Sequence, residues 1–445
     1  MSETIYALAS GGGRAGVAVV RVSGPQSRDS LTMFTGRSDF APRRAQLAVL
    51  RHPDSRETLD RALVLTFQAP ASYTGEETVE YHLHGGRAVI EAVLSVLSKQ
   101  KNHRMAEPGE FTRRAFENGK MDLTEAEAVA DLIDAETQAQ KIQALAQMGG
   151  ALSGLYESWV DQLTKTLAHL EADIEFPDED LPEGIAPEIG EAIEKLVAEI
   201  GEHLDDNRRG ERLRDGIQVA VIGAPNVGKS SLVNALARRD VAIISNMAGT
   251  TRDVIEVNLD LGGYPVVLAD TAGLRPDQIG NEGQEAIESE GIRRALERAE
   301  NADIKLLVFD ASARAPDPHT LNLIDERSIL VVNKMDDLFS ENIMAGAVGI
   351  SVKKNTGLRD LLKVLEDRIK VLMNVSRETP SLTRQRHRGH VEEALEALQR
   401  SLKAALPELM AEDVRLAVRA LGRITGRVDV EDLLDVIFRD FCIGK

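Results

Sequence analysis

The spacing of apolar residues divides this 445-residue chain into stretches of different texture. Up to about residue 118, short β-rich runs (VAVVRVSG, RALVLTF, ETVEYHLHGG) alternate with helical stretches, and HGGRAVIEAVLSVL has the form of a strand turning into a helix. From 124 to 209 the period becomes helical. Thr124 with Glu127 forms a capping box, LSGLYESWVDQLTKTLAHLEADI carries apolar residues at helical spacing, FPDEDLP breaks it, and EIGEAIEKLVAEIGEHL resumes it. IQVAVIG returns to strand character, and residues 381 to 441 are helical again. In the last helix, near VDVEDLLDVIF, Asp429 is the expected cap, Leu433, Leu434, Ile437 and Phe441 form one apolar stripe, and Gly444 is the expected stop.

These textures predict an α/β plus α protein in four stretches. Residues 1–118 form an N-terminal α/β domain, 119–210 and 376–445 are two parts of one helical bundle, and 211–375 are a doubly wound α/β domain inserted between them. Insertion is the simpler architecture, because either helical piece alone would have a small core and an insert needs only closely spaced ends.

Composition narrows the classes. The net charge is −19, which argues against a protein that grips nucleic acid with its whole surface; an RNA contact must be local or borrowed from a partner. A single cysteine, Cys442, excludes an internal disulfide framework and a multi-cysteine metal site. The opening MSETIYALASGGG lacks a basic start and a long apolar run, and no later stretch is long and apolar enough to span a bilayer, so a cytoplasmic location is expected.

The middle of the chain carries the clearest chemistry. IQVAVIGAPNVGKSSLVNAL is a strand, then Gly223-x-x-x-x-Gly228-Lys229-Ser230, then a helix, the context a phosphate-binding loop requires. Asn226, Val227, Gly228, Lys229, Ser230 and Ser231 are candidates to hold phosphates with backbone N–H groups, with Lys229 on the β and γ charges and Ser230 on Mg²⁺. In GTTRD, Gly249 and Thr250 precede Thr251, whose hydroxyl could close on Mg²⁺ only when a γ-phosphate is present. VVLADTAG supplies Asp270, Thr271, Ala272 and Gly273, the first for a Mg²⁺-bound water and the last for a γ-phosphate. SILVVNKMD ends in Asn333, Lys334 and Asp336, and an aspartate there can accept both N1–H and N2–H of guanine, which adenine cannot offer. Ser351, Val352 and Lys353 in ISVK complete the base pocket.

Four such elements in order resemble the translation-factor-related branch of Ras-like GTPases. One position departs. Where Ras-like proteins carry a water-orienting Gln after Asp-Thr-Ala-Gly, this chain has Leu274. Arg252, Arg275, the acidic run NEGQEAIESEGIRRAL and a monovalent cation held by Asn226 are all open as substitutes.

The N-terminal stretch offers weaker signals. GGGRAG matches the dinucleotide fingerprint at Gly11, Gly13 and Gly16, but a strand follows where that motif needs a helix. His82 and His84 share a strand face, with no third metal ligand at a matching spacing. Glu80, just upstream, is expected at the mouth of whatever the domain binds. RRGERLR (Arg208 to Arg214) and RQRHRGH (Arg384 to His390) could touch RNA, although a solvated helix face is the simpler account.

Taken whole, the chain resembles the MnmE (TrmE) family of tRNA-modification GTPases. The resemblance rests on IYALAS…GVAVVRVSGP, YTGEETVEYHLHGG, EPGEFTRRAFENGKMDLTEAEAVADLIDAET, the inserted G domain and the terminal C-x-G-K. It implies an N-terminal domain similar to folate-dependent aminomethyltransferases, which dimerises and binds formyl- or methylene-tetrahydrofolate through Arg21, Glu80, Lys120 and Lys445. It also implies a homodimer that works with the FAD protein MnmG, as a heterotetramer, to place an aminomethyl or carboxymethylaminomethyl group on C5 of the tRNA wobble uridine. The same resemblance makes Cys442 a functional thiol and the G domain potassium-activated. K⁺ would be held by Asn226 with oxygens of Ser245, Met247 and Thr250, in the segment Ser245, Asn246, Met247, Ala248 that borders the nucleotide, and Glu288 would orient water. A reading of another class, a regulatory GTPase of ribosome assembly, shares the G-domain motifs but needs an RNA-binding module that this sequence does not display.

Overall fold

The computed structural model describes residues 3–175, 185–239, 241–242, 256–270, 300–337, 344–373, 380–428, 430–439 and 441–444. The chain divides into two compact units, Met1–Ala130 with Met148–Asp161 and Val418–Lys445, and Asp131–Gln147 with Gln162–Ala417.

The first unit is built on β1 (Thr4–Leu8), β2 (Ala15–Ser23), α1 (Ser27–Thr35), β3 (Gln46–Arg51), β4 (Thr58–Phe67), β5 (Thr78–Gly85), α2 (Arg87–Ser98) and β6 (His103–Met105). Its sheet runs β3-β4-β5-β2-β1-β6, antiparallel except for β1 with β6. Strand alternation sends Val20, Val22, Tyr81 and Leu83 to one face, where Leu31 and Phe34 of α1 and Val93 and Leu97 of α2 close the core. On the opposite face Ile5, Ala7, Ala106 and Phe111 form a second, smaller core. β2 starts inside GGGRAG, so those glycines lead into a strand and not into a phosphate-binding helix. Gly86 caps α2 directly after β5, the strand-to-helix turn expected of HGGRAV.

Two helices continue the unit, α3 (Glu110–Glu117) and α4 (Leu123–Asp134). The capping box of α4 lies two residues before the expected one. Asp122 Oδ1 accepts from the N–H groups of Thr124 and Glu125, and Glu125 Oε2 accepts from the N–H of Asp122. Two overlapping patterns, Asp122-x-x-Glu125 and Thr124-x-x-Glu127, compete for one helix start. The earlier one wins because Thr124 and Glu127 are buried inside the helix.

The remaining helices are α5 (Gln138–Met148), α6 (Ala151–Glu175), α7 (Ile185–Leu204), α8 (Arg209–Asp215), α9 (Lys229–Ala237), α10 (Pro318–Leu321), α11 (Leu358–Met373), α12 (Gln385–Ser401), α13 (Pro407–Thr425) and α14 (Glu431–Arg439). The expected FPDEDLP break and the Asp429 cap lie outside the described residues, as does the side chain of Leu433. Leu434, Phe438 and Phe441 pack on Leu123 and Ala126 of α4. Gly444 is not the helix stop, since α14 ends at Arg439. Its left-handed backbone, φ +98°, serves a close approach instead: a Cβ there would stand 2.1 Å from the carbonyl oxygen of Leu8.

In the second unit a sheet runs β12-β11-β10-β7-β9-β8, made of β7 (Ile217–Ile222), β8 (Glu256–Leu261), β9 (Tyr264–Asp270), β10 (Ile304–Asp310), β11 (Ser328–Asn333) and β12 (Val348–Gly349). Every pairing is parallel except the β8–β9 hairpin. Apolar clusters cover both faces, which is why its strands are apolar on consecutive residues and not on alternate ones. The chain enters and leaves this sheet side by side. Arg209 Nη2, in α8, donates to Ser381 Oγ at 2.6 Å, and Gly210 lies so close to Leu382 that a Cβ would meet its carbonyl oxygen at 2.1 Å.

Candidate functional site

The carboxyl ends of β7, β10 and β11 converge on one loop. Gly223, at the end of β7, sits where a Cβ would be 2.3 Å from Val308 O of β10. Asn226 takes the left-handed conformation (φ +61°), and Gly228 (φ +101°) turns the chain into α9 while leaving room for the Asn333 amide, 2.4 Å from where its Cβ would be. Of the glycines at the two ends of the Gly-x-x-x-x-Gly-Lys-Ser spacing, the first is thus fixed by backbone approach and the second by its left-handed conformation and the Asn333 side chain. Lys229, 8% exposed, donates from Nζ to Gly223 O and Ala224 O at 2.8 and 2.9 Å. Ser230 and Ser231 follow in the first turn of α9, where backbone N–H groups and the helix dipole favour an anion.

The base-side residues come together from β11 and the turn after β12. Asn333 is 3% exposed; its Nδ2 donates to Val227 O at 2.8 Å, and its Oδ1 accepts from Val352 N at 3.3 Å. One side chain therefore ties the phosphate loop to the Ser351–Lys353 turn. Ser351 donates from Oγ to Asp336 Oδ1 at 2.5 Å. That hydrogen bond, with Lys354 and Lys353 nearby, holds the Asp336 carboxyl below its ordinary range, so the group is an acceptor at neutral pH.

Lys334 (φ +63°) donates from Nζ to Asp310 Oδ2 at 2.6 Å, and Asp310 also accepts from the N–H and hydroxyl of Ser312. Burial pushes the Asp310 carboxyl up, but the hydrogen bonds from Lys334 and Ser312 outweigh it and leave the group below its usual value. Sequence reasoning missed Asp310. Its signal was an aspartate ending an apolar strand, LLVFD, beside another strand that ends in Asn-Lys.

Asp270 closes β9, and its side chain lies outside the described residues. So do Ser245, Asn246, Met247, Ala248, Gly249, Thr250, Thr251, Thr271, Ala272, Gly273, Leu274, Glu288 and Lys445, together with Arg252 and Arg275. The donor chemistry fits the implied metals. Ser230 offers a hydroxyl oxygen of the hard type Mg²⁺ takes, and Asn226 offers a neutral amide oxygen suited to a weakly hydrated monovalent cation.

The first unit holds a second polar constellation. Arg21 of β2 donates from Nε to Glu80 Oε1 of β5 at 2.9 Å, both side chains being mostly buried, as the register Arg21 opposite Glu80 dictates. The guanidinium stands 5.1 Å from the centre of the Tyr73 ring and 5.5 Å from that of Phe111. Burial pushes the Tyr73 hydroxyl up, and its oxygen hydrogen-bonds to Thr112 at 2.8 Å. These two rings were not anticipated, because they come from a loop and from α3. Glu80 also meets His82 Nε2 at 3.4 Å, whereas His84 Nδ1 pairs with Asp60 at 2.7 Å, so each imidazole engages its own carboxylate. Lys120 lies beside the Gly75 turn, its Cδ 3.4 Å from the place of a Gly75 Cβ.

The tail is drawn into the same unit. Gly109 N donates to Cys442 O at 3.4 Å, Pro108 and Ile443 form an antiparallel bridge, and Gly444 abuts Leu8. Cys442 itself is exposed.

In the two basic segments Arg208 is exposed, but most of the other arginines are engaged internally and do not form a solvated face. Arg212 pairs with Asp303 at 2.6 Å, Arg214 and Arg384 both pair with Asp131, and Arg388, 7% exposed, pairs with Asp206 and Glu211. Their charges brace the chain where it enters and leaves the β7–β12 sheet.

Comparison with known proteins covers the whole chain. The MnmE helical domain family matches residues 123–442, and the family described as GTP-binding protein TrmE N-terminus matches residues 4–120. The chain is 54% identical over 447 residues to the tRNA modification GTPase MnmE of Parvibaculum lavamentivorans, covering 100% of both. It is 54% identical over 461 residues to that of Rhodospirillum rubrum, covering 100% of this chain and 99% of the other. It is 46% identical over 451 residues to that of Rickettsia bellii, again covering 100% of both.

Proposed function

This chain belongs to the tRNA modification GTPase MnmE family, and from that premise we propose how its own residues carry the activity. It is a GTP hydrolase acting in tRNA modification. Asn333 and Asp336 select guanine, the latter by accepting two protons, with Val352 and Lys353 closing the pocket beside Ser351. Lys229 exchanges the carbonyls of Gly223 and Ala224 for the β- and γ-phosphate oxygens, while N–H groups from Asn226 to Ser231 hold the remaining charge. Ser230 and Thr251 would hold Mg²⁺, with Asp270 hydrogen-bonding to its hydration shell, and the ion would supply neutralising charge to the phosphates. Gly249, Thr271, Ala272 and Gly273 border the γ-phosphate.

Leu274 cannot orient water, so the nucleophile is positioned by Glu288 when two G domains of a homodimer meet. In that state Asn226 and oxygens of Ser245, Met247 and Thr250, with Asn246 and Ala248 between them, would hold K⁺, which supplies the positive charge an arginine finger gives elsewhere. In the N-terminal domain, Arg21, Glu80, Lys120 and Lys445 bind a formyl- or methylene-tetrahydrofolate donor, and Tyr73 and Phe111 keep the Arg21 guanidinium aimed. Cys442 takes part in the one-carbon chemistry. With the FAD protein MnmG, in a heterotetramer in the cytoplasm, the homodimer installs an aminomethyl or carboxymethylaminomethyl group on C5 of the wobble uridine.

The observation that carries the GTPase part is Asn333 joining the phosphate loop at Val227 to the base-side turn at Val352. Mass spectrometry of wobble nucleosides from a deletion strain tests the rest. Loss of the C5 substituent is expected, and unchanged wobble uridine refutes the reading.

A further inference from the structure

We propose that the groove between the end of α9 and the start of α11 docks the sugar–phosphate backbone of the tRNA substrate, through Arg238, Arg239 and Arg359. This rests on the tRNA-modification reading and adds where the RNA is held. The groove has a volume of about 960 Å³, and its lining includes those three arginines with Asn234, Asn355 and Thr356. Asp360 is the one carboxylate in the lining among the described residues.

Three arguments carry the assignment. Affinity for RNA comes first from cations that displace condensed counterions, and in a chain of net charge −19 a cluster of three guanidinium groups facing one carboxylate runs against the average. The segments that looked basic in the sequence have most of their charge committed, since Arg212, Arg214, Arg384 and Arg388 pair with internal carboxylates. Arg238 and Arg359, by contrast, have no carboxylate partner among the described residues. Arg239 is held by an amide, its Nη2 donating to Asn355 Oδ1 at 2.7 Å, so it keeps its full charge toward the groove.

The donor set selects the partner. Planar guanidinium groups alongside amide and hydroxyl side chains are donors suited to phosphate and ribose oxygens. The lining has no aromatic ring among its described residues, so bases are not stacked there and the contact is insensitive to sequence. α9 begins at Lys229 and ends next to Arg238, and the groove runs along it from Ser231 to Arg239 and takes in Val352. Its arginine end therefore lies about 13 Å along the helix from the phosphate loop, while its other end adjoins the proposed nucleotide site.

The test compares the full chain with its R238Q/R359Q variant, using fluorescence anisotropy of an unmodified tRNA transcript from 50 to 200 mM KCl on the order of usual assays. Removing two phosphate contacts should weaken binding about five- to tenfold near 0.1 M salt and flatten the log–log salt slope by roughly 1.4–1.8. Basal GTP hydrolysis and fluorescent-GDP affinity should be unchanged. Equal affinity and slope in the two proteins, or a wild-type chain that does not bind the transcript, overturns the proposal. Unchanged tRNA binding with weakened binding of the flavoprotein partner also overturns it and gives the groove to an acidic protein surface. The underlying reading fails separately, through unaltered wobble nucleosides in the deletion strain.

Discussion

Lys334 Nζ lies 2.6 Å from Asp310 Oδ2, joining the ends of two neighbouring parallel strands. Because Asp310 is itself fixed by Ser312, the pair sets where the Lys334 stem lies beside the base pocket. Both side chains are partly exposed, so the pair is worth about 0.5–1 kcal/mol after solvent screening. Asp310→Asn should weaken GDP affinity about two- to fivefold in a fluorescent-nucleotide titration. The carboxyl titrates below its unfolded value of about 3.9, so the contribution is complete above that value and is lost only as pH falls through the lower folded one. Guanine affinity should therefore show no step from Asp310 near neutral pH, and such a step would assign the pair a different protonation.

Asp336 accepts from Ser351 through Oδ1. Exchanging its carboxylate for an amide reverses one of the two hydrogen bonds to guanine, so Asp336→Asn should trade GTP for xanthosine triphosphate. Nucleotide titration with both triphosphates checks it, and unaltered GTP preference would remove Asp336 from the base pocket.

Hydrolysis should run several-fold faster in K⁺ than in Na⁺ at equal ionic strength, because Leu274 offers no water-orienting amide. The informative variant is Asn226→Gly. An alanine at φ +61° would add backbone strain of about 1–2 kcal/mol to the loss of the amide, whereas glycine tolerates that conformation. Asn226→Gly should abolish the K⁺ advantage, and Glu288→Ala should bind nucleotide normally but turn over slowly. Equal rates in both salts, with dimers confirmed by a transition-state mimic, refute the cation mechanism.

The tail offers a paired test. Cys442→Ser keeps shape and removes thiol chemistry, so GTP hydrolysis should stay near normal while tRNA modification is lost or strongly reduced. Gly444→Ala reaches the same end by another route, since its Cβ would collide with Leu8 O and lift the tail away. Wobble-nucleoside analysis of both strains decides it: full modification in Gly444→Ala would mean that the docked tail is dispensable.

What the sequence made legible was local. Gly223, Gly228, Lys229 and Asn333 are readable because backbone geometry at a strand–loop–helix junction forces residue types at fixed spacing. The start of α4 was misplaced by two residues because Asp122 and Thr124 offer the same short pattern, and only burial distinguishes them. Arg384 and Arg388 resembled a surface because their partners, Asp131 and Asp206, lie 253 and 182 residues away. Tyr73 and Phe111 escaped for the same reason, since neither shares a strand with Arg21.

One long-range pair carries a consequence for biosynthesis. Arg113 of α3 pairs with Asp435 of α14, 322 residues later, and Phe438 and Phe441 cover Leu123 at the start of α4. At 5–20 residues per second, α3 and α4 would leave the ribosome about 15–60 s before the segment that shields them. During that interval Leu123 and Phe116 lack the C-terminal cover they have in the folded chain, the kind of exposed apolar surface chaperones bind, and the rate of translation through the intervening G domain sets how long it stays uncovered.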